Sequence, residues 1–362
     1  MSHSTLTDLT GRTGWIGKSL SVAAVCFTLA SFTGCSTAHY LLQAGKGQLE
    51  LANRSKPIPE VLKDETVSPR IRRLLAQIPD IKKFGEGLGL KATKNYTDFV
   101  QLKRPAAVYV VSACAPLKFE SREWRFPIVG SFPYLGWFDL ANAKNYAQTL
   151  RQENLDVDVR GARAYSTLGW FRDSVLSSMI PEGEEALGEL VDVVIHESVH
   201  ATLYVNGQAY FNESLASFVA EKLAPQYLQG KGSETAAEVK AYLDAQADFQ
   251  KRERLFHDAY LKLAALYASG RGDAEKSREK AVILEELKKQ VGATREINNA
   301  TLIQFKTYGG GRAEFDALLK SCGSDWRRFM QALSRIHRES FSKPQQEDLS
   351  PVILPLAREG CR

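Results

Sequence analysis

The 362-residue sequence has no low-complexity tract, no internal repeat and no block of like charge. Lysine and arginine total 47 against 42 acids, and the two signs are mixed along the apparent helices. No basic face is left for a nucleic acid, and none is expected as a partner. Long hydrophobic runs are missing as well: the apolar stretch LSVAAVCFTLASF at residues 20–32 is too short to cross a bilayer as a helix. The five cysteines show no spacing that suggests a cysteine-based zinc site. What remains is an ordinary globular composition, 44% hydrophobic and 25% charged, in a chain long enough for one large or two modest domains.

The short apolar run has the length of a signal-peptide h-region and follows a polar stretch holding Arg12 and Lys18. It leads into Phe32-Thr33-Gly34-Cys35, which resembles the lipobox of bacterial lipoproteins, where the cysteine is lipidated and becomes residue one. Residues 1–34 are therefore expected to be a lipoprotein signal peptide, with Cys35 as the lipidation site and the membrane as a partner through that anchor. An ordinary cleaved signal peptide and an uncleaved anchor are the alternatives. By the same resemblance, Ser36 implies a lipid-anchored protein of the bacterial cell envelope, at the outer membrane and facing the periplasm. Losing residues 1–34 removes Arg12, Lys18 and Asp8 and lowers the net charge from +5 to +4. Cys114, Cys322 and Cys361 then remain, as one disulfide and a free thiol or as three unpaired residues.

The expected class is α+β, mostly α. Residues 35–97 read as an N-terminal helical segment, with one helix leading out of the anchor and a second over 69–85. Residues 98–180 form a small mixed β region. Its β-branched and aromatic runs AAVYVVSA, WRFPIVGSFPYLGWF and LDVDVRGARAY read as strands of a small sheet, interrupted by a helix over 140–152. Residues 181–343 are helical, with a capped start at Pro181-Glu182 and a helical hairpin at 234–290 turning at Gly270-Arg271-Gly272. A lid, a dimer contact and a partner arm are all open roles for that hairpin. Residues 344–362 read as an irregular tail.

Within the first helix of that half lies His196-Glu197-Ser198-Val199-His200. Residues i and i+4 lie one turn apart on one helix face, so two imidazoles can bind one ion, with Glu197 beside them to take a proton from the attacking water. A catalytic zinc needs a third protein ligand and one open position. His257 sits on a charged helix among Arg252, Glu253 and Arg254 and reads as solvated, and His337 is the other remaining histidine. Glu213 is better placed. If the chain folds back at Asn206-Gly207, His200 and Glu213 are equally far from the turn and lie level across the helix interface. Ala216, Ser217 and Ala220 are small enough to let the helices approach, and Asn212 is a candidate cap or hydrogen-bond partner of a ligand.

HESVHATLY followed by FNESLASFVAEKL resembles a glutamate-zincin, as in thermolysin and the large zinc aminopeptidases, with only twelve residues between His200 and Glu213. Over nearly the whole mature chain the sequence is similar to a family of bacterial lipoproteins described as predicted aminopeptidases. That similarity runs through GQLELANRSKPI, FPIVGSFPYLGWFD, AYSTLGWFRDSVLSSM, the zinc motifs and INNATL…TYGGGRAEFDALL. The resemblance implies a zincin-like fold and a Zn2+-dependent peptidase acting on peptides in the envelope, as an aminopeptidase. An envelope endopeptidase, or a non-catalytic lipoprotein binding module with a structural zinc, are the alternatives. No Gly-x-Met-Glu-Asn motif, which binds the free amine in the large zinc aminopeptidases, occurs in the chain. Glu197 favours catalysis, since a structural site has no need for a base beside its ligands. Related zincins place a Tyr or His downstream of the third ligand to stabilise the oxyanion; Tyr308 is the candidate for that catalytic role, with ordinary packing as its alternative. Residues 164–171 (AYSTLGWF) read as a strand that either pairs with extended substrate or is plain core, and Trp170 and Phe171 as pocket or core aromatics.

Overall fold

A helix, α1 (Cys35–Arg54), is the first element among the described residues. The computed structural model describes residues 35–126, 130–164, 172–306 and 310–361, and the chain divides into two units, residues 1–50 and 51–362. In the first, Leu41, Leu42 and Leu49 of α1 are exposed. Among the described residues, no helix is long and apolar enough to cross a membrane. About 60% of the structure is helical and 10% strand, so the α+β, mostly α class holds.

The second unit begins with β1 (Lys56–Pro57), α2 (Pro69–Leu75) and α3 (Ile78–Gly87). Sequence periodicity predicted one helix over 69–85; two are found. Ser68 caps α2 by accepting from the Ile71 N–H at 3.2 Å. Pro79, in the first turn of α3, lacks the N–H that a continuous helix needs at that point. The strands follow: β2 (Asp98–Val100), β3 (Val108–Cys114), β4 (Trp124–Phe126), β5 (Gly130–Phe132), β6 (Tyr134–Trp137), β7 (Asp156–Ala162) and β8 (Val175–Leu176), with α4 (Leu140–Gln152) between β6 and β7. Among the described residues they make three small sheets where the sequence suggested one. Antiparallel β6-β3-β7 is the largest, β1-β2-β8 pairs β2 parallel to β8, and β4 pairs with β5. Pro105, with no N–H to donate, stands between β2 and β3 and keeps them from forming one strand.

From residue 186 the chain is almost wholly helical: α5 (Ala186–Thr202), α6 (Ala209–Gly230), α7 (Ala236–Ala268), α8 (Asp273–Gln290), a single turn at Asn299–Leu302, α9 (Arg312–Ser321), α10 (Trp326–Leu333) and α11 (Ser350–Glu359). α5 starts later than the expected Pro181-Glu182 cap and has no side-chain cap, because Gly183 makes a helical start there costly. Leu190, Val194, Ile195 and Val199 of α5 and Leu215, Val219 and Leu223 of α6 are buried in one core. On its other side α6 meets an aromatic cluster, Phe218 lying 5.4 Å from Phe315 and 5.9 Å from Phe329 between ring centroids.

The hairpin of α7 and α8 turns at residues 269–272 and is packed onto the body. Leu263, Leu266 and Leu287 share a second, smaller core. Lys280 pairs with Asp156 on β7 and donates to Pro116 O at 2.9 Å. The Tyr267 hydroxyl donates to Asn299 at 2.8 Å, and Asn299 donates to Ala115 O at 2.8 Å. Residues 344–362, expected to be irregular, carry α11. Pro351 suits a first helical turn, Val352 and Ile353 are buried, and Cys361 is joined to Cys322. That bridge closes a loop of 39 residues, which in the chain-entropy model contributes about 4 kcal/mol. Cys114 is free and buried, and burial pushes its thiol up to about 12.

Candidate metal centre

Two helices and one short loop make the site. α5 and α6 approach closely because Ala216 and Ala220 are small and wholly buried. Gly207 takes a left-handed φ of +77° in the connecting loop, which glycine adopts without steric cost. Asn212 was a candidate cap or ligand partner, and it is neither. Buried, it bonds both polar groups of Val205, accepting from the N–H at 2.9 Å and donating to the carbonyl at 2.9 Å. Segment 343–346 braces the same loop from outside. Gln208 donates to Lys343 O at 2.7 Å, and the Gln345 side chain accepts from Ala209 N at 2.9 Å.

This frame brings His196, His200 and Glu213 together. The His196 Nε2 lies 3.1 Å from the His200 Nε2 and 3.3 Å from Glu213 Oε2, and the His200 Nε2 lies 3.6 Å from Glu213 Oε1. One donor atom from each residue falls within 4.8 Å of the others, the one such cluster among the described residues. Two imidazole nitrogens and a carboxylate oxygen form a set compatible with zinc. The cluster opens on one side: the His200 side chain is 6% exposed, His196 21% and Glu213 60%. A structural zinc site is closed by four protein ligands, whereas a catalytic one keeps a position for water or substrate.

Burial works against charge on His196. The hydrogen bond and charge of Glu213, with the charges of Glu197 and Asp192, nonetheless carry its pKa up to about 9. Against desolvation, hydrogen bonds and charges of the two histidines hold Glu213 far below the usual carboxylate range. Glu197 is half-buried on α5, next in sequence to His196. Neither other candidate histidine joins the cluster: His257, expected to be solvated, is half-buried with Nδ1 2.9 Å from Phe305 O, and His337 is exposed. Tyr308 and residues 165–171, with Trp170 and Phe171, lie outside the described residues, as do residues 1–34.

Two tyrosines that sequence reasoning missed stand near the centre. Tyr204 follows α5, its ring 6.1 Å from His200 and its side chain part-exposed; burial and then the Glu213 charge raise its phenol, so it stays protonated. Its place four residues after His200 was the available signal. Tyr96 is buried at a left-handed φ of +61°, its N–H donating to Asp173 O at 2.7 Å. Burial, then the charges of Glu197 and Asp173, push its phenol well up. Nothing in the local sequence marked it, because the loop that delivers it lies a hundred residues before Glu197.

Fold and site together define a mostly helical α+β protein with a solvent-open His-His-Glu cluster on two packed helices. The chain belongs to the Aminopep family, described as "Putative aminopeptidase", whose model matches residues 39–348. Membership supports a peptidase acting on peptides. No match was found among curated proteins or among solved structures.

Proposed function

We propose that the chain is a zinc-dependent aminopeptidase of the bacterial envelope, held to the membrane by lipid at Cys35. The observation that carries the reading is the convergence of His196, His200 and Glu213 on one point with an open side, next to Glu197. The family description supports the choice of free N-termini. His196, His200 and Glu213 would hold the ion, which when bound supplies Lewis acidity to the scissile carbonyl and lowers the pKa of a nearby water. Glu197 takes the proton of the attacking water and passes it to the leaving amine as the peptide C–N bond breaks. The hydroxyl oxygen ends on the new carboxylate, so the products are a free amino acid and a shortened peptide.

The test uses the full chain purified in detergent, with Glu197→Gln as blank. Each is incubated with peptides of which half have free and half acetylated N-termini, and products are read by mass spectrometry. Stepwise loss of residues from the free peptides alone is the expected result. Internal cuts in both sets would replace the aminopeptidase reading with an endopeptidase. Absence of any metal-dependent cleavage would sink the hydrolytic reading.

The anchor has its own check. Cys35→Ser is expected to move the protein from the membrane fraction to the soluble fraction, or to stall its processing, and to abolish incorporation of labelled palmitate. Unchanged labelling would place the lipid elsewhere.

A further inference from the structure

The first helix carries an exposed apolar face that the proposed chemistry does not use. Leu41, Leu42 and Leu49 of α1 are 47%, 74% and 60% exposed. Positions 35, 38, 42, 45 and 49 follow one another at steps of three and four, so they form one stripe along the helix. Their residues are Cys35, Ala38, Leu42, Gly45 and Leu49, with Leu41 on one flank of the stripe and Lys46 on the other. The helix has one acid, Glu50, which stands about 100° round the axis from Leu49 and off the stripe. Leu51, two residues beyond Leu49 and therefore on the opposite side, is buried in the main core. α1 is thus apolar on two sides, and one of them faces solvent.

Single exposed leucines are ordinary on a protein surface, but apolar side chains gathered on one helix face mark a partner. Three part-exposed leucines fall well short of the roughly 800 Å² per partner that a stable protein interface buries, which argues against a second copy of the chain. The other end of the stripe argues for lipid. Cys35, the residue read as lipidated, is the first residue of α1 and shares the register of Leu42 and Leu49. Leu42 follows it by about 10 Å along the axis, at 1.5 Å per residue. Acyl chains inserted at Cys35 hold the start of the helix at the headgroups. Leucines on the same stripe are then within reach of the 5–10 Å depth, roughly, at which interfacial helices bury their apolar faces. Lys46, beside them, suits the phosphates of anionic lipids.

Resting on the reading of Cys35 as the lipidated residue, we propose that the face of α1 bearing Leu41, Leu42 and Leu49 lies in the headgroup–acyl boundary of a phospholipid bilayer. It forms a second, peripheral attachment beside the lipid. The helix then runs along the membrane surface, with Leu51 turned away from the lipid.

The experiment places a polarity-sensitive fluorophore on single introduced cysteines in the full chain, reconstituted into vesicles of phosphatidylethanolamine and phosphatidylglycerol. Cys114 is buried and Cys322 is bridged to Cys361, so neither competes for the label, and a lipidated Cys35 has no thiol to offer. At Leu42→Cys and Leu49→Cys, blue-shifted emission and loss of signal to lipid-borne spin labels are expected. At Glu50→Cys, one residue along but off the stripe, emission is expected to stay that of water. A second arm labels Gly45→Cys, where a side chain meets open space, with and without serine at positions 41, 42 and 49. Serine at all three is expected to abolish the blue shift and the quenching while the melting temperature holds, since exposed leucines contribute little packing.

Water-like emission at 42 and 49, equal quenching at 49 and 50, or unchanged quenching in the serine variant would each overturn the proposal. So would a blue shift that lipid-borne spin labels do not quench and that grows with protein density, which would assign the face to a second copy. Palmitate incorporation by the unlabelled wild type separates this proposal from the anchor on which it rests. Palmitate at Cys35 with water-like leucines sinks the helix face alone. Quenched leucines on a chain without palmitate sink the lipidation reading and leave the face in the membrane.

Discussion

Replacing Glu213 with alanine is expected to strip the metal from the protein while leaving the fold in place. The side chain is 60% exposed, so truncation opens no cavity and forfeits little packing. Its backbone position on α6 is fixed by neighbours that face the core, Phe211 and Leu215 among them, and these are untouched. What is lost is one of three donors. A four-ligand structural zinc site releases about 10–16 kcal/mol on binding, so one ligand is worth roughly 3 kcal/mol, on the order of a hundred- to a thousand-fold in affinity. Peptide hydrolysis falls with the metal. Metal content after dialysis, read by mass spectrometry of the elements, and the melting curve of the metal-free protein check the two halves separately. A full complement of zinc in Glu213→Ala would mean that another residue completes the set. Loss of the folded state would mean that the carboxylate is needed to neutralise His196 even without an ion.

The ligand set was legible because each step to it is local. Four-residue spacing put His196 and His200 on one face, and counting outward from Asn206-Gly207 put Glu213 level with His200. The loop does turn there, at Gly207, and the small residues at 216 and 220 do let the helices meet. What failed were inferences about which group a side chain bonds and about which position of a helix a proline holds. Asn212 read as a cap because it stands near a helix start, but a buried amide facing a loop backbone satisfies both of its groups on Val205 instead. Asp192 sits inside VDVVI and drew no notice, since its hydrogen-bond donor, Tyr242, lies on another helix. Prolines misled in both directions: Pro79 breaks a run whose apolar period continues across it, and Pro351, read as a tail residue, begins a helix. Proline interrupts a helix interior and favours a first turn, and periodicity alone does not say which position it holds.

Glu197→Gln is expected to abolish hydrolysis with metal and fold retained. The exchange is nearly isosteric and replaces one carboxylate oxygen by an amide nitrogen, so a half-buried side chain keeps its volume and its neighbours. Glu197 is not among the clustered donors, so zinc content should match that of the wild type. The amide cannot accept the proton of the attacking water, nor return one to the leaving amine. General acid–base catalysis by one positioned group contributes about 10²–10⁴ in rate; because this group serves both steps, kcat should fall toward the upper end or beyond, with KM little changed. This variant separates three readings that the family and the open cluster leave together. If Glu197 is the base, zinc stays and turnover goes. If the cluster served only structure, turnover would be absent from the wild type as well, and the exchange would change nothing. If Glu197 instead bound the ion, zinc content would drop with activity, and the roles of Glu197 and Glu213 would have to be exchanged. The second and third outcomes each contradict the placement of a half-buried, proton-accepting carboxylate beside an open three-donor site, and the first follows from it.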